Sequence, residues 1–403
     1  MTVRNGGKRY FVPVIALYGA NAAGKSNMIN ALSFLYQAVT ASYSNWRGKK
    51  TLPVTPCLTN SELADNPSEY DCDVLIGGIR FHYGFSVARK GIAREWLHSY
   101  PLGLKKVMFE RDFSQPDDKQ IYIGSSVPKL NPSQLELAKD NSMLFLSANG
   151  AVSHETFTPI YTFFKESLVI ISASDVRQEK AIAEELADPN VKKLVESFLE
   201  KADFGIVGLS LTAEKVDERA LQFLKKMQSL IGEMVDEAVV FPIEQETMRV
   251  SFVHKRPDGT TFEIGSARES TGTRHLLSLL APILSALKSG KTVVIDEITT
   301  TLHTKLSEEL IRLFATPETN ANNAQFIFST HDTNLLSCSA LRRDEIWFAE
   351  KTPHGQTSIY PLSDFQTRKS DNLERGYLQG RFGAIPFFGD FANLLKTSTN
   401  DHT

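Results

Sequence analysis

Gly19-Ala20-Asn21-Ala22-Ala23-Gly24-Lys25-Ser26 is the stretch on which the reading of this chain turns. It follows a short apolar run, Phe11 to Tyr18 (FVPVIALY), and leads into Asn27 to Tyr36, where Met28, Ala31, Leu32 and Leu35 recur at the spacing of one helix face. The order is therefore buried strand, glycine-rich turn, helix, with Pro13 marking the early part or edge of the strand. The glycines let the backbone curl so that its N–H groups point at one place. A helix starting near Lys25 adds the positive end of its dipole there. The stretch matches G-x-x-x-x-G-K-[ST], the pattern that cradles phosphate. Gly19, Asn21, Ala22, Ala23, Gly24 and Asn27 form the cradle, Lys25 can reach the β- and γ-phosphates of a nucleotide, and Ser26 can place its hydroxyl on Mg²⁺. The plain alternative is a glycine-rich surface turn.

Three later stretches end in residues that fit the same chemistry. Val293-Val294-Ile295-Asp296-Glu297 reads as a buried strand whose end carries two carboxylates. Beside a phosphate loop, Asp296 can hold magnesium, directly or through water, and Glu297 can polarise a water for attack on the γ-phosphate. Away from one, Asp296 reads equally as a helix N-cap. Gln325 to Asp332 (QFIFSTHD) is another strand end, where His331 can reach the γ-phosphate and hold the attacking water. Glu269-Ser270-Thr271-Gly272-Thr273-Arg274 opens a Leu-rich helix and reads either as a second anion site or as simple capping by Ser270 or Thr271.

The rest of the chain sets the frame. The 403 residues are 42% hydrophobic and 23% charged, and 47 acidic against 44 basic side chains give a net charge of −3. That excludes a nucleic-acid binder working by bulk positive charge. Cys57, Cys72 and Cys338 lie far apart with no metal-ligand spacing, which argues against a disulfide framework or a cysteine zinc site. No apolar run reaches the length of a membrane span, and the first residues lack a signal peptide's apolar stretch. The expectation is a cytoplasmic protein with no membrane partner.

Trp46 to Pro67 reads as loop. Alternation over Asp73–Ile76, Arg80–Val87 and Ile92–Tyr100 reads as a small antiparallel unit continuing to about Asp112, with Phe81, Tyr83 and Phe85 on one face and Asp117-Asp118-Lys119 as a turn. From Asp175 to about Glu237 the pattern is helical, over Ala181–Glu200 and Glu214–Val235, broken at Gly205 and Gly208. Pro257-Asp258-Gly259 signals a hairpin. Helices over Thr273–Leu287 and around Leu302, Leu306, Leu310 and Phe314 alternate with strands Thr292–Ile295 and Phe326–Phe328, the mark of a mainly parallel sheet covered on both faces. Positive charge around Arg368-Lys369 and Arg375 to Arg381 reads as a solvated face, with partner or nucleic-acid docking as the other option.

With these pieces in order, the chain resembles the ABC-class AAA-type ATPases of the RloA-like group, related to the overcoming-lysogenization-defect nucleases of bacterial defence loci. The likeness is carried by YGANAAGKSN (Tyr18–Asn27), EWLHSYP (Glu95–Pro101), FERD (Phe109–Asp112), ESTGTR (Glu269–Arg274), VIDEITTTLH (Val294–His303), FSTHDTNLL (Phe328–Leu336), LRRDEIWF (Leu341–Phe348) and LERGYLQGRFGAIPF (Leu373–Phe387). It implies an α/β P-loop ABC-type ATPase head with a mainly parallel core sheet, a small antiparallel β subdomain and a helical lid. The implied division is 1–45 phosphate-loop part, 68–175 antiparallel subdomain and connecting segments, 176–240 lid, and 241–403 the remaining core.

The resemblance further implies ATP and Mg²⁺ as cofactors, Lys25 and Ser26 as phosphate and magnesium ligands, Asp296 as the metal-side carboxylate, Glu297 as base and His331 as switch. Ser270, Gly272 and Thr273 match a signature loop acting across a homodimer or higher homo-oligomer closed around ATP, and Thr301-Leu302-His303 matches the loop linking opposed sites. A metal-sensing glutamine is implied too, with Gln120 and Gln134 as candidates. Only eighteen residues precede Gly19, where the family places a further strand and an Asn-Phe-Arg-type turn, so a truncated N-terminus is expected. No TOPRIM-like acidic cluster follows Phe387, which implies the ATPase half of a two-component anti-phage system whose effector, a nuclease or TOPRIM-type protein, is a separate chain. The other readings are a slow-turnover ATP-dependent scaffold or sensor for a phage protein or nucleic acid, and an SMC- or repair-type ATPase acting on DNA.

Overall fold

Pro13 divides the first apolar run. In the computed structural model β1 (Thr2–Asn5) and β2 (Lys8–Phe11) pair as a two-stranded ribbon, and β3 (Val14–Tyr18) starts only after the proline, which has no N–H for a ladder. The structure describes residues 2–5, 8–55, 66–172, 178–202, 205–235, 246–300, 302–368 and 370–386. Every residue of β3 is buried. The helix after the glycine turn runs over Lys25–Asn45, beyond the Tyr36 read from periodicity.

β4 (Ser68–Ile76), β5 (Ile79–Ala88), β6 (Gly91–Tyr100), β7 (Lys106–Asp112) and β8 (Ile121–Ile123) form an antiparallel sheet in chain order. Tyr83 and Phe85 point into its core as the alternation predicts, and Asp117–Lys119 forms the expected turn. Three helices that periodicity did not mark follow, at Pro132–Lys139, Phe145–Ala151 and Thr158–Ser167.

β9 (Leu168–Ser172) leaves this region and joins the central sheet beside Thr292–Asp296. The sequence reading places these residues among connecting segments, yet LVIIS is a continuous apolar run of the kind that buries both faces in a parallel sheet. The next stretch also differs from expectation. The single helix over Ala181–Glu200 is two, Glu179–Leu186 and Pro189–Lys201, because Pro189 opens a new first turn that Asp188 caps by accepting from Asn190 N at 2.8 Å. β10 (Ile206–Lys215) is a strand where the sequence predicts only a break between two helices, and the second helix starts at Glu218 and not at Glu214. Leu209 and Leu211 alternate with Gly208, Ser210 and Thr212, a period of two. It pairs with β11 (Glu246–Lys255), which pairs with β12 (Thr261–Gly265) across the expected Pro257–Gly259 turn. The helix between β10 and β11 spans Glu218–Val235, with Phe223, Leu224, Met227 and Leu230 exposed along it.

β13 (Thr292–Asp296), β14 (Gln325–Ser329), β15 (Ile346–Lys351) and β16 (Thr357–Pro361) complete the central sheet. Its order is β16-β15-β3-β14-β13-β9, all parallel except β16, so the chain has the expected α/β fold. β15 and β16 were not read as strands. The Leu-rich helix, Thr271–Ser289, packs with Glu179–Leu186 and Pro189–Lys201 in the core that covers one face. Helix Lys25–Asn45 lies between the two sheets. Met28, Ile29 and Leu32 face Ile15, Leu17, Ile327 and Phe328 across a cavity of about 40 Å³, while Leu35, Ala38 and Val39 join the core of the antiparallel sheet. Burying that helix on both sides is worth roughly 1.5–3 kcal/mol for each large apolar side chain. It also makes the glycine turn the junction of the two layers.

The antiparallel sheet is pinned to the helices beneath it by a fully buried ion pair. Arg111 Nη1 donates to Glu95 Oε2 at 2.6 Å, and Glu95 also accepts from Tyr83 OH and from the N–H groups of Phe145 and Leu146. Those N–H groups open helix Phe145–Ala151, where a carboxylate is favoured. EWLHSYP and FERD thus contribute a structural pair.

No helix among the described residues is long and apolar enough to cross a membrane. Cys72 and Cys338 are free, and Cys57 lies outside the described residues, as does Lys369.

Candidate functional site

Parallel strands deliver their carboxyl ends to one edge of a sheet. Here β3 ends at Tyr18, β13 at Asp296 and β14 at Ser329, with β14 between the other two. The Gly19–Ser26 turn, Asp296-Glu297 and Thr330-His331 therefore share one edge although the turn lies hundreds of residues before the other two.

The turn is built by backbone conformations that few residues accept. Ala22 has φ 61° and Gly24 φ 103°, both in the left-handed region, and Ala23 N–H between them closes a turn onto Ala20 O at 3.1 Å. A Cβ at Gly24 would lie 2.3 Å from Thr357 Oγ1, and one at Gly19 would lie 2.5 Å from Ala349 O. Ala23 is buried against Leu17 and Ala349, and Thr357 Oγ1 donates to Ala23 O at 2.9 Å. The loop thus rests on β15 and β16, and Thr357 is a residue the sequence reading missed. Its partner lies more than three hundred residues away, and no local pattern marks it.

Gly24 is the N-cap of helix Lys25–Asn45. No side chain caps this end and its first turn holds no acid. The N–H groups of Lys25, Ser26 and Asn27 precede the first intrahelical bond, from Met28 N to Gly24 O. Ser26, Asn21 and Ala22 are exposed beside them. The end of this helix is open for an anion.

Lys25 is 5% exposed. Its ammonium donates to Gly19 O at 2.9 Å and Ala20 O at 3.0 Å, and its third direction meets His331 Nδ1 at 3.4 Å. Burial lowers its pKa, while Glu297 and then Asp296 pull it back up. Since an ammonium only donates, Nδ1 accepts and the ring proton sits on Nε2. Nε2 then donates to Glu297 Oε1 at 3.1 Å. Lys25, His331 and Glu297 form one chain of contacts.

Glu297 has φ 57°, the left-handed region, which costs a residue with a Cβ roughly 1–2 kcal/mol. Its N–H donates to Ser329 Oγ at 2.8 Å, and its carbonyl accepts from Thr300 Oγ1 at 2.8 Å. Ser329 Oγ in turn donates to Asp296 Oδ1 at 2.5 Å. Thr330 Oγ1 lies 3.0 Å from Thr299 Oγ1, and Thr304 Oγ1 donates to Asp332 Oδ2. Ser329 and Thr330 are further residues that sequence reasoning did not single out.

Ser270, Gly272 and Thr273 are not brought to this cluster by any described bond. Ser270 caps helix Thr271–Ser289, its Oγ accepting from Thr273 N at 3.1 Å, which is the capping alternative weighed from sequence. The turn is tied down by His254 Nε2, 2.8 Å from Glu269 Oε2. Leu302 is buried, and His303 Nδ1 caps helix Thr304–Ala315 by accepting from Lys305 N at 3.2 Å. Thr301 lies outside the described residues. Neither glutamine candidate reaches the cluster. Gln120 bonds Gln115 O and Asp117 Oδ1 in its own turn, and Gln134 completes the capping box of Asn131.

An uncapped helix start under a glycine loop, with a lysine and two carboxylates on the same sheet edge, defines the P-loop ATPase class. The chain belongs to the AAA family described as "AAA domain, putative AbiEii toxin, Type IV TA system", whose model matches residues 14–337. No curated protein matches its sequence. Among solved structures it is similar to the SMC head domain from Thermotoga maritima, at 12% identity over 88% of this chain and 92% of that one, with a TM-score of 0.38. It is also similar to an SMC head bound to the C-terminal winged-helix domain of ScpA, at 12% identity over 88% and 93%, with a TM-score of 0.41. A third is the SMC head with an extended coiled coil from Pyrococcus furiosus, at 13% identity over 88% and 92%, with a TM-score of 0.33. Likenesses this loose carry no argument about this chain.

Proposed function

We propose that this chain binds ATP with magnesium at the Gly19–Asn27 loop and transfers the γ-phosphoryl group to water. The observation that carries the reading is the chain of contacts Lys25–His331–Glu297 beside an uncapped helix start. The residues present fit both groups. Open N–H donors and an ammonium suit a triphosphate, and the hydroxyl of Ser26 with the carboxylate of Asp296 is the oxygen donor set that suits Mg²⁺. Bound there, magnesium supplies charge that stabilises the transferring phosphoryl oxygens.

The protein's share is positioning and charge. The open N–H groups of Lys25, Ser26 and Asn27 hold phosphate oxygens. Lys25 exchanges the carbonyls of Gly19 and Ala20 for them. Ser26 and Asp296 would hold the metal. Glu297 accepts a proton from the attacking water, and His331 keeps its carboxylate aimed by donating from Nε2. Ser270, Gly272 and Thr273 stand exposed or half-buried at a helix start with no described bond to this cluster, which suits a contact with nucleotide on a second copy of the chain in a dimer closed around ATP.

The narrower reading is an RloA-like ATPase that controls a separate nuclease or TOPRIM-type effector in anti-phage defence. It rests on the eight stretches that carry the resemblance. The test is steady-state hydrolysis of Mg·ATP by the purified chain. Turnover in the wild type that Glu297→Gln abolishes while ATP binding persists is expected. Equal turnover by both would remove Glu297 from this role.

A further inference from the structure

We propose that Ser329 is a positioning residue that fixes Asp296 and Glu297 together, joining the metal side of the site to the water side. The proposal rests on the ATPase reading above and deepens it.

A hydroxyl has one proton to give and lone pairs to receive, and Ser329 uses both kinds on consecutive residues of the neighbouring strand end. The proton goes to Asp296 Oδ1 at 2.5 Å, and a lone pair takes Glu297 N–H at 2.8 Å. The placement follows from register. Ile295 pairs with Phe328 in the parallel ladder, so Ser329 is the next residue along, level with the point where β13 ends. The side chain is fully buried, which keeps water from taking over either bond.

Successive side chains of a strand point to opposite faces. A strand continuing through Glu297 would send its carboxylate away from that of Asp296. The left-handed turn at Glu297 breaks that alternation and lets its carboxylate meet His331. Among the described residues, Ser329 binds the N–H of this turn and Thr300 binds its carbonyl, through both Oγ1 and N–H. Ser329 alone among them also touches Asp296.

The neighbours extend the same grip. Thr330 meets Thr299, His331 meets Glu297, and Asp332 accepts from Thr304. Four consecutive side chains thus hold the segment that follows β13, and three of those links remain when Ser329 is removed. Ser329→Ala is therefore expected to fold.

The experiment compares wild type, Ser329→Ala and Ser329→Thr, with Ser329→Cys, which keeps the volume but donates weakly, taking the place of alanine should that variant not fold. Mn²⁺ affinity in the presence of AMP-PNP is read by electron paramagnetic resonance, AMP-PNP affinity without metal by calorimetry, and kcat and KM with Mg·ATP. In Ser329→Ala, Mn²⁺ binding is expected to weaken about tenfold or more and kcat to fall about tenfold to a hundredfold, the range for groups that orient metal ligands. KM and metal-free AMP-PNP affinity stay within about threefold, and Ser329→Thr recovers most of the loss. A merely structural role would lower the melting temperature and leave Mn²⁺ affinity and kcat within about twofold, and that result overturns the proposal. A wild-type chain that takes up no AMP-PNP at all is a different result, overturning the nucleotide reading and this proposal with it.

Discussion

The antiparallel sheet and the rim of the central sheet each bury a cation, in opposite ways. Arg111 and Glu95 are sealed at 0% exposure. Glu95 is satisfied by Arg111, by Tyr83 and by two helix N–H groups, and Arg111 gives its other donors to Asp140 O and Met143 O, leaving Nε unpartnered. Each of these partners is part of the fold. Lys25 is nearly as buried, yet it rests on two carbonyls of its own loop and one histidine ring. A phosphate oxygen can replace any of the three. Charge with permanent partners specifies structure, and charge with exchangeable partners leaves room for a ligand.

The sharpest way to break the comparison is to remove one partner from the sealed pair. Arg111→Ala leaves the Glu95 carboxylate buried and uncompensated, which should cost about 3–5 kcal/mol of unfolding free energy in urea. A loss under about 1 kcal/mol would show that water reaches the pair. At the open site the expected split is reversed. Glu297→Gln should lower kcat by about 10² to 10⁴, as loss of a general base does. Its unfolding free energy should stay within about 0.5 kcal/mol of wild type, and a large loss of stability would make Glu297 a structural residue like Glu95.

Thr357 sits between these extremes, since it serves the site by shaping the loop. Thr357→Val removes the bond to Ala23 O, so stability should drop by about 1 kcal/mol, with ATP affinity weakened a few-fold. Unchanged affinity in a destabilised variant would detach the loop's shape from its binding.

The smallest effect concerns the antiparallel side. Burial lowers the pKa of His98, against the pull of its bond to Glu110, and burial likewise lowers that of His154. As pH falls through about 6.5 the unfolded chain takes up protons first. These histidines then favour unfolding progressively down to their folded values, and they contribute nothing above that window. His154→Gln should flatten the fall in Tm on acidification from neutral pH, and an equally steep fall would contradict the assignment.

Much of the central sheet was legible because buried parallel strands write themselves as apolar runs closed by a special residue. VIALY stops at glycine, TVVID at a carboxylate and QFIFS at serine. The helices on its face were legible from spacing. What escaped depends on pairing over distance. Ile206–Lys215 was lost among helical neighbours because its exposed Val207 blurs the alternation. β16 carries Thr357 to the loop, yet its own sequence, TSIYP, is short and ends in proline. In the site, residue types announced Lys25, Asp296, Glu297 and His331. The silent partners Ser329, Thr330 and Thr357 are ordinary hydroxyl residues whose meaning appears only once the strands are aligned.

All of this stands on one loop holding one nucleotide. Equilibrium dialysis of ATP with Mg²⁺ against the wild type and Lys25→Ala tests it most directly. The expected result is saturable binding by the wild type and affinity weaker by about a hundredfold in the variant, the loss of a charge-assisted contact in a closed site. Equal affinity in the two proteins would contradict the account.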